Sequence, residues 1–224
     1  MRVVVAGASR GIGAAVAAHR AGRGDHVVAL SRSPAPSGEW LACDLARPEE
    51  VARVAALIGP EPLDALLVTG GVWERGAFTD AYAFAASPPE EAAHVLAVNL
   101  LAPILLTQAL LPPLAAAQGR VVLVGSLSGR EGAATPEVAN TASKAGLRGA
   151  ARALDLSLRP LGVGVTVLNP GNVATDEVLQ DIASGDFGAQ EAIPLADLLA
   201  ALDFALALSP ASVALEIDLA QMRP

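Results

Sequence analysis

Two polar residues four positions apart, Asn140 and Lys144 in the segment "ANTASKAGL", are the first candidates for chemistry. Residues i and i+4 of a helix share one face, so both side chains are expected to point into the same cleft. An ammonium group lowers the pKa of an acidic group beside it, which would help that acid exchange a proton with a substrate oxygen. Asn140, however, can donate an amide N–H hydrogen bond but has no usable proton to give. The pair therefore predicts a polar cleft with weak general acid catalysis.

A glycine-rich loop, "GASRGIG" from Gly7 to Gly13, follows an apolar segment and opens a helical pattern. Glycines allow a tight turn and a close approach of the backbone, and a helix N-terminus offers free N–H groups to a pyrophosphate. The spacing is G-x-x-x-G-x-G rather than the commoner G-x-G-x-x-G. We expect the loop to bind a dinucleotide through Gly7, Ser9, Arg10, Gly11, Ile12 and Gly13.

The end of the second apolar segment, "VVALSRS", indicates which dinucleotide is preferred. An acidic residue there would accept hydrogen bonds from the adenosine ribose and would repel a 2′-phosphate. This chain has Ser31 and Arg32 instead, with Arg10 in the glycine loop. Guanidinium groups form charge-assisted hydrogen bonds with phosphate, which favours NADP(H) over NAD(H). The alternative is that Arg32 is a solvated surface arginine.

Taken in order, these motifs resemble those of the short-chain dehydrogenase/reductase family, and the resemblance runs nearly from end to end. In that family G-x-x-x-G-x-G is the dinucleotide loop. The family's Asn-Asn-Ala-Gly segment matches "VTGG", which keeps small residues but lacks both asparagines. The resemblance implies further cofactor contacts from Asp44 and Leu45 in "CDL", Gly70 and Gly71 in "VTGG", Lys144, and Pro170, Gly171, Val173 and Thr175 in "NPGNVAT".

The same resemblance implies a catalytic set of Asn99, Ser126, Asn140 and Lys144. In the family a tyrosine stands at the position of Asn140, and its phenol exchanges a proton with the substrate oxygen as hydride moves. The resemblance further implies that Ser126 bonds the substrate oxygen and that Lys144 holds the nicotinamide ribose. Loss of general acid catalysis costs about 10²–10⁴ in rate, so slow hydride transfer is expected.

Other residues could supply the missing acid, and Lys144 itself could donate a proton directly or through water. Tyr82 is the only tyrosine and could fold over the cleft, although packing within its own loop is the simpler expectation. Glu131 and Glu137 flank the cleft and could act if their pKa were raised, although surface carboxylates are the usual case. The three histidines are scattered, so no metal site is predicted. His94 lies within a helical pattern and is expected to pack or to lie at the surface.

The elements that must position these residues alternate between apolar runs and helical patterns, as in a parallel sheet covered on both faces. The sequence predicts an α/β fold, a single Rossmann-type doubly wound domain over residues 1–224. We expect a mostly parallel sheet of about seven strands with helices on both faces, and substrate-side loops within 70–88 and 175–193. Strands are predicted at Val3–Ala6, His26–Ser31, Trp40–Cys43, Leu63–Thr69, Arg120–Gly125, Val163–Leu168 and Ala214–Asp218, and helices at Gly11–Gly24, Pro48–Gly59, Pro89–Ala117, Val138–Leu161 and Pro194–Leu208.

Composition limits the partners. The net charge of −8 argues against nucleic acid, and 53% hydrophobic residues in 224 can form a large core. Mean hydropathy is +0.47, but polar residues and prolines interrupt the longest apolar run, so no membrane span is expected. A single cysteine, Cys43, fits a reducing, cytoplasmic location. Helices apolar over more than one face predict a homodimer or homotetramer acting on a small-molecule substrate.

Three functions fit the sequence, since a fold does not fix a function. The leading one is an NADP(H)-binding oxidoreductase acting on a small carbonyl or alcohol, with catalysis weakened by Asn140. A redox-silent protein that binds the dinucleotide as a structural or sensory ligand is the second, favoured by Asn140 and the altered "VTGG". The third is a non-redox lyase or isomerase in which Ser126 and Asn140 only polarise an oxygen.

Overall fold

Seven parallel strands form one sheet in the computed structural model, which describes residues 1–185, 187 and 190–222. The strand order is β3-β2-β1-β4-β5-β6-β7. The chain crosses from β3 at one edge back over β1 to β4, so the carboxyl ends of β1 and β4 border the crevice where such sheets bind ligands. The strands are β1 (Arg2–Ala6), β2 (His26–Ser31), β3 (Glu39–Ala42), β4 (Ala65–Val68), β5 (Arg120–Val124), β6 (Gly164–Pro170) and β7 (Glu216–Leu219).

Helices cover both faces of this sheet, which confirms the predicted doubly wound fold. Short 3₁₀ turns occupy Phe84–Ala86, Leu127–Gly129 and Arg159–Leu161, and a π-helical turn occupies Ala97–Leu101. The α-helices are α1 (Gly11–Gly22), α2 (Pro48–Ile58), α3 (Pro89–Leu96), α4 (Ala102–Ala109), α5 (Leu111–Ala117), α6 (Val138–Leu158), α7 (Asp176–Ser184) and α8 (Leu195–Ala207).

Two hydrophobic cores follow from the alternation of side chains along the strands. In β1, Val4 faces the core that α2, α4 and α6 cover, while Val3 and Val5 face the core under α1 and α8. All three valines are fully buried. This two-sided burial explains why the strands are apolar at consecutive positions rather than at alternate ones.

Two predicted segments differ from the structure by more than a shift of one to three residues at their ends. The helix predicted at Pro89–Ala117 contains the π-helical turn and breaks at Leu110, and α4 and α5 each have a proline in the first turn. Proline suits that position because its missing N–H has no helical partner there. The loop predicted at 175–193 contains α7, which Thr175 caps by accepting a hydrogen bond from Val178 N at 3.4 Å. Asp186, Gly188 and Ala189 of that loop lie outside the described residues.

The continuous helical stretch Pro89–Ala109 is the one part of the described chain long and apolar enough to cross a membrane. Its inner side chains, among them Val95, Val98 and Leu106, are buried against the rest of the protein. A stretch of this kind is weak evidence for a membrane span, because the core helix of a globular domain has the same composition.

Candidate active site

A cavity of about 290 Å³ lies at the carboxyl ends of the central strands. Of the residues predicted from sequence, Asn99 alone is not among those that line it. The structure brings together in this cavity Gly7, Ser9, Arg10, Gly11, Ile12, Gly13, Ser31, Arg32, Asp44, Leu45, Gly70, Gly71, Ser126, Asn140, Lys144, Pro170, Gly171, Val173 and Thr175.

The glycine loop lines the cavity, and a side chain at Gly7 or Gly13 would clash with neighbouring backbone atoms. Gly7 has φ +89°, and a Cβ there would lie 2.4 Å from Gly70 Cα at the end of β4. A Cβ on Gly13 would lie 2.0 Å from the Gly7 carbonyl oxygen. Arg10 occupies the N-cap of α1 and makes no side-chain hydrogen bond to the first turn. The first backbone N–H groups of α1 are therefore available to an anionic ligand.

The adenosine side of the cavity differs from the sequence prediction at one arginine. Arg32 is exposed and forms no ion pair with any residue of the described ranges, as expected of a guanidinium that is free to bind a phosphate. Arg10 instead forms an ion pair with Glu177 of α7, across the mouth of the cavity. The expectation of two free guanidiniums therefore holds for Arg32 alone, because Glu177 lies on α7, in a segment predicted from the sequence to be a loop.

Lys144 reaches the cavity from α6. Its Nζ donates a hydrogen bond to the Val124 carbonyl oxygen at 3.3 Å, and burial lowers its pKa to about 8. A Cβ on Gly71 would lie 3.5 Å from this Nζ, so the small residue in "VTGG" leaves room beside the lysine. At neutral pH Lys144 is an ammonium in most molecules, which suits the binding of a hydroxyl-rich or anionic ligand.

Ser126 has a hydroxyl with a defined direction. Its Oγ accepts hydrogen bonds from Ser128 N at 3.2 Å and from Ser128 Oγ at 2.9 Å. Because these bonds occupy the lone pairs of Ser126 Oγ, its own O–H remains to donate. Ser126 lines the cavity and can therefore hydrogen bond a substrate oxygen.

Asn140 lies on the cavity wall with 4% of its surface exposed. Its side-chain amide forms no hydrogen bond within the part of the chain that the structure describes. The backbone below it is held by Glu74, whose buried carboxylate accepts from Ala139 N at 2.6 Å and from Asn140 N at 3.2 Å. Glu74 thus stabilises the N-terminus of α6, a role that sequence reasoning missed because Glu74 is far from α6 in the chain.

Asn99 is a positioning residue rather than a group that reaches the cavity. It is buried in the π-helical turn, and its side chain binds both backbone groups of Val72, at 2.9 Å to the N–H and 2.7 Å to the carbonyl. Its Nδ2 also donates to Ser143 Oγ at 3.1 Å. Asn99 therefore joins the loop after β4 to α6 and fixes the wall formed by Gly70 and Gly71.

Three residues considered as substitutes for the missing acid, Tyr82, Glu131 and Glu137, do not line this cavity. The Tyr82 hydroxyl accepts a hydrogen bond from Val138 N at 3.2 Å, at the start of α6, and Glu131 is exposed to solvent. Burial acts to raise the pKa of Glu137, but the nearby Thr135 hydroxyl and Phe78 N–H outweigh it, and the pKa lies below its usual value. Glu137 therefore lacks the raised pKa that it would need to act as the acid.

The structure adds residues that the sequence did not predict. His94 lines the cavity from α3, although a packing or surface role was expected. Trp73, Phe78 and Phe187 also line it, with ring centroids 6.0 Å apart in edge-to-face contacts on either side of Phe78. Burial raises the pKa of Cys43 to about 11, so this thiol at the cavity wall stays protonated and is a poor nucleophile. The described ranges contain no group of three or more potential metal ligands.

Relatives of this chain share its architecture. It is 31% identical over 214 residues to the 3-oxoacyl-(acyl-carrier-protein) reductase FabG of Aggregatibacter actinomycetemcomitans, covering 85% of this chain and 87% of that protein. It is 30% identical over 192 residues to the protein FixR of Bradyrhizobium diazoefficiens, covering 80% and 69% of the two chains. A solved metagenomic short-chain oxidoreductase in complex with NADP superposes with a TM-score of 0.78 at 28% identity, covering 99% and 97%.

The family is shown by two independent likenesses, in sequence and in fold. A family model described as short chain dehydrogenase matches residues 1–183, which include the glycine loop, Ser126, Asn140 and Lys144. FabG and FixR align over two thirds or more of their own length. The chain therefore belongs to the short-chain dehydrogenase/reductase family.

Proposed function

We propose that this chain is an NADP(H)-dependent oxidoreductase that acts on a small carbonyl or alcohol and transfers the proton slowly. The observation that carries the proposal is the meeting of Ser126 and Lys144 with the glycine loop in one cavity. Asn140 stands at the wall where a proton donor would act. The residues that hold and orient a cofactor and substrate oxygen are thus kept, while the acid is absent.

The dinucleotide fits the residues that are present. Gly7, Gly11 and Gly13 line the cavity, and no side chain caps the first N–H groups of α1 beside them. When bound, the nicotinamide would supply or accept the hydride. The glycine loop would hold the pyrophosphate, Arg32 the 2′-phosphate, Lys144 the nicotinamide ribose and the segment Pro170–Thr175 the carboxamide. Ser126 would donate its hydroxyl hydrogen to the substrate oxygen.

The proton has two sources on the cavity wall other than the missing phenol. Lys144 carries one at neutral pH, and its lowered pKa of about 8 makes it a better acid than an exposed lysine. His94 lines the same cavity, and histidine is the side chain best suited to exchange protons near neutral pH. Either group would act in place of Asn140, whose amide can only donate a hydrogen bond.

The preference for NADP(H) rests on exposed Arg32 and on Arg10, and a similar solved structure is described as an NADP complex. We also propose a cytoplasmic location, because the free thiol of Cys43 fits a reducing compartment. A homodimer or homotetramer is part of the same proposal. A redox-silent dinucleotide-binding protein is the alternative that Asn140 favours.

The experiment is a pair of measurements on the wild-type chain. Fluorescence titration gives dissociation constants for NADPH and NADH, and NADPH oxidation is followed with a panel of ketones, aldehydes and quinones. We expect tighter binding of NADPH, a loss of that preference in Arg32→Ala, and slow but measurable oxidation. Tight NADPH binding with no oxidation for any compound would instead support the redox-silent protein.

A further inference from the structure

A second cavity adjoins the candidate active site. The two share the lining residues Phe78, Asn172 and Phe187, so they meet at these side chains. The remaining described wall comes from the segment after Phe78, from Thr135 to Glu137, and from Gly185 and Gln190. The NADP(H) residues described above play no part in this wall.

Glu137 supplies a buried carboxylate oxygen with no partner. The residue is 3% exposed and lines the second cavity. One oxygen, Oε1, accepts a hydrogen bond from Phe78 N at 2.8 Å, while Oε2 has no hydrogen-bond partner in the described ranges. The Thr135 hydroxyl is near enough to lower the pKa of this carboxylate, but it lies 3.1 Å from Thr141 Oγ1, with which it shares a hydrogen bond. A buried carboxylate with an unused oxygen is costly, and a bound donor or cation would relieve that cost.

The electrostatics of the second cavity have one sign. Asp80 adds a second carboxylate to the wall, and none of its described lining residues is basic. The first cavity differs because it carries both signs, with Arg10, Arg32 and Lys144 beside Asp44, Glu177 and Asp181. A cationic group would therefore be attracted to the second cavity and an anionic group repelled from it.

Two of the three residues that both cavities share, Phe78 and Phe187, are aromatic. Phe78 makes edge-to-face contacts with Trp73 on one side and Phe187 on the other. Phe78 has φ +66°, which is unusual for a bulky residue, and its N–H donates to Glu137. Glu137 thus helps to hold Phe78 where the two cavities meet. Aromatic faces attract ammonium groups, so these rings and the carboxylate favour the same ligand chemistry.

We propose that the second cavity binds the ammonium group of the substrate, so that the substrate is an amino ketone or amino alcohol. The proposal rests on the proposed function, which places the reacting oxygen at Ser126. Glu137 is the N-cap of α6, the helix that carries Asn140 and Lys144 on the wall of the first cavity. In this arrangement the substrate oxygen would bind at Ser126 and its ammonium at Glu137, across the residues that the two cavities share.

The test compares three ketones of similar size that differ in charge: 4-(aminomethyl)acetophenone, 4-(methoxymethyl)acetophenone and 4-acetylbenzoate. Each is titrated calorimetrically into the chain saturated with NADP⁺, which cannot reduce a ketone, and none of the three carries an alcohol that NADP⁺ could oxidise. We expect the amine to bind about tenfold more tightly than the ether, the effect of one charge-assisted hydrogen bond, and the benzoate to bind most weakly. In Glu137→Gln the amine should lose this advantage.

The matched control is Glu131→Gln, which removes the same charge from an exposed residue outside both cavities and should leave the preference unchanged. If Glu137→Gln is unfolded, exposed Asp80→Asn replaces it and should reduce the preference at least about twofold. Equal affinities for the three ketones, or a preference that survives both variants, would overturn the proposal. NADPH oxidation without an amine preference would reject this site alone, whereas an amine preference without NADPH oxidation would reject the proposed function alone.

Discussion

At the scale of single residues, the chemistry of this cavity depends on one side chain. Replacing Asn140 with tyrosine is expected to raise NADPH-dependent ketone reduction by about 10²–10⁴, the range attributed to general acid catalysis. Lys144 lies one helical turn away and would lower the pKa of the new phenol. The rate is measured across a panel of ketones and quinones, at saturating NADPH.

Asn140→Phe is the control for this change, because it adds the same ring without the hydroxyl. It should leave the rate at or below that of the wild-type chain. If wild type already reduces ketones briskly, another acid acts, and His94→Gln should then lower the rate. If Asn140→Tyr binds NADPH tightly but reduces nothing, the altered "VTGG" wall or the substrate loops no longer support hydride transfer.

A second residue-scale prediction concerns Lys144 and pH. Burial lowers its pKa to about 8, so its ammonium is lost as the pH rises through about 8. If this ammonium binds the dinucleotide, the dissociation constant of NADPH should rise by up to about tenfold between pH 7 and pH 9. Fluorescence titration at a series of pH values measures it. Lys144→Met should bind weakly at every pH, and a wild-type curve as flat as that of Lys144→Met would contradict the assignment.

The same shift has a consequence for stability whose sign can be worked out. Between about pH 8 and the ordinary lysine pKa of 10.5, the unfolded chain binds more protons at Lys144 than the folded chain. Stability therefore rises with pH over that window, and below it the buried ammonium destabilises the fold. Lys144→Met should raise the melting temperature of the cofactor-free chain by about 2–4 °C at pH 7, and by less at pH 10. A lower melting temperature at pH 7 would contradict this.

At the scale of elements, α7 is tied to the glycine loop through the ion pair of Glu177 with Arg10. NADP(H) would compete with Glu177 for this guanidinium. Glu177→Gln is therefore expected to tighten NADPH binding by about twofold to fivefold, within the range of an exposed ion pair, and to change NADH binding little. The two affinities are measured by fluorescence.

Glu49→Gln is the matched control, because Glu49 forms an exposed ion pair with Arg47 at the start of α2 and does not line the cavity. It should change neither affinity. Equal tightening of NADPH and NADH in Glu177→Gln would show that α7 acts on something other than the 2′-phosphate.

The elements also show what a sequence can and cannot predict. Buried strands such as His26–Ser31 were predicted with their observed bounds, because two-sided burial leaves a continuous apolar run. The residues of the cavity follow from local motifs at strand ends. By contrast, Glu74 caps α6 from 65 residues away, and α7 puts Glu177 against Arg10 at a separation of 167. Such contacts depend on tertiary packing and leave no periodic signal.

At the scale of the whole molecule, the cofactor cavity differs in charge from the rest of the chain. The chain carries a net charge of −8, whereas the described lining of the candidate cofactor cavity has three cations, Arg10, Arg32 and Lys144, and three carboxylates, Asp44, Glu177 and Asp181. The acidic remainder would repel polyanions such as nucleic acid, while local cations can still bind one dinucleotide. The second cavity has two carboxylates and no basic residue in its described lining.

The last prediction concerns assembly, and it depends on the outer face of α6. Ala142, Ala145, Gly149, Ala153 and Leu156 are exposed at spacings of three and four residues, so they form an apolar strip along one side of the helix. Leu156 is 71% exposed and is the largest side chain of this strip. A contiguous exposed apolar patch of this kind is typical of a surface that binds a protein partner. Small residues would allow a second copy of the helix to approach closely.

Gly149→Arg tests this strip without disturbing the fold of one copy. A Cβ at Gly149 would meet no atom within 4 Å, and the same holds for Gly22 at the end of α1. Light scattering of the wild-type chain is expected to give two or four times the 22.5 kDa of one copy. Gly149→Arg should shift this mass to that of the monomer with an unchanged circular dichroism spectrum, whereas Gly22→Arg should keep the wild-type mass. A monomeric wild-type chain at micromolar concentration, or an oligomer that Gly149→Arg leaves intact, would place any interface away from α6.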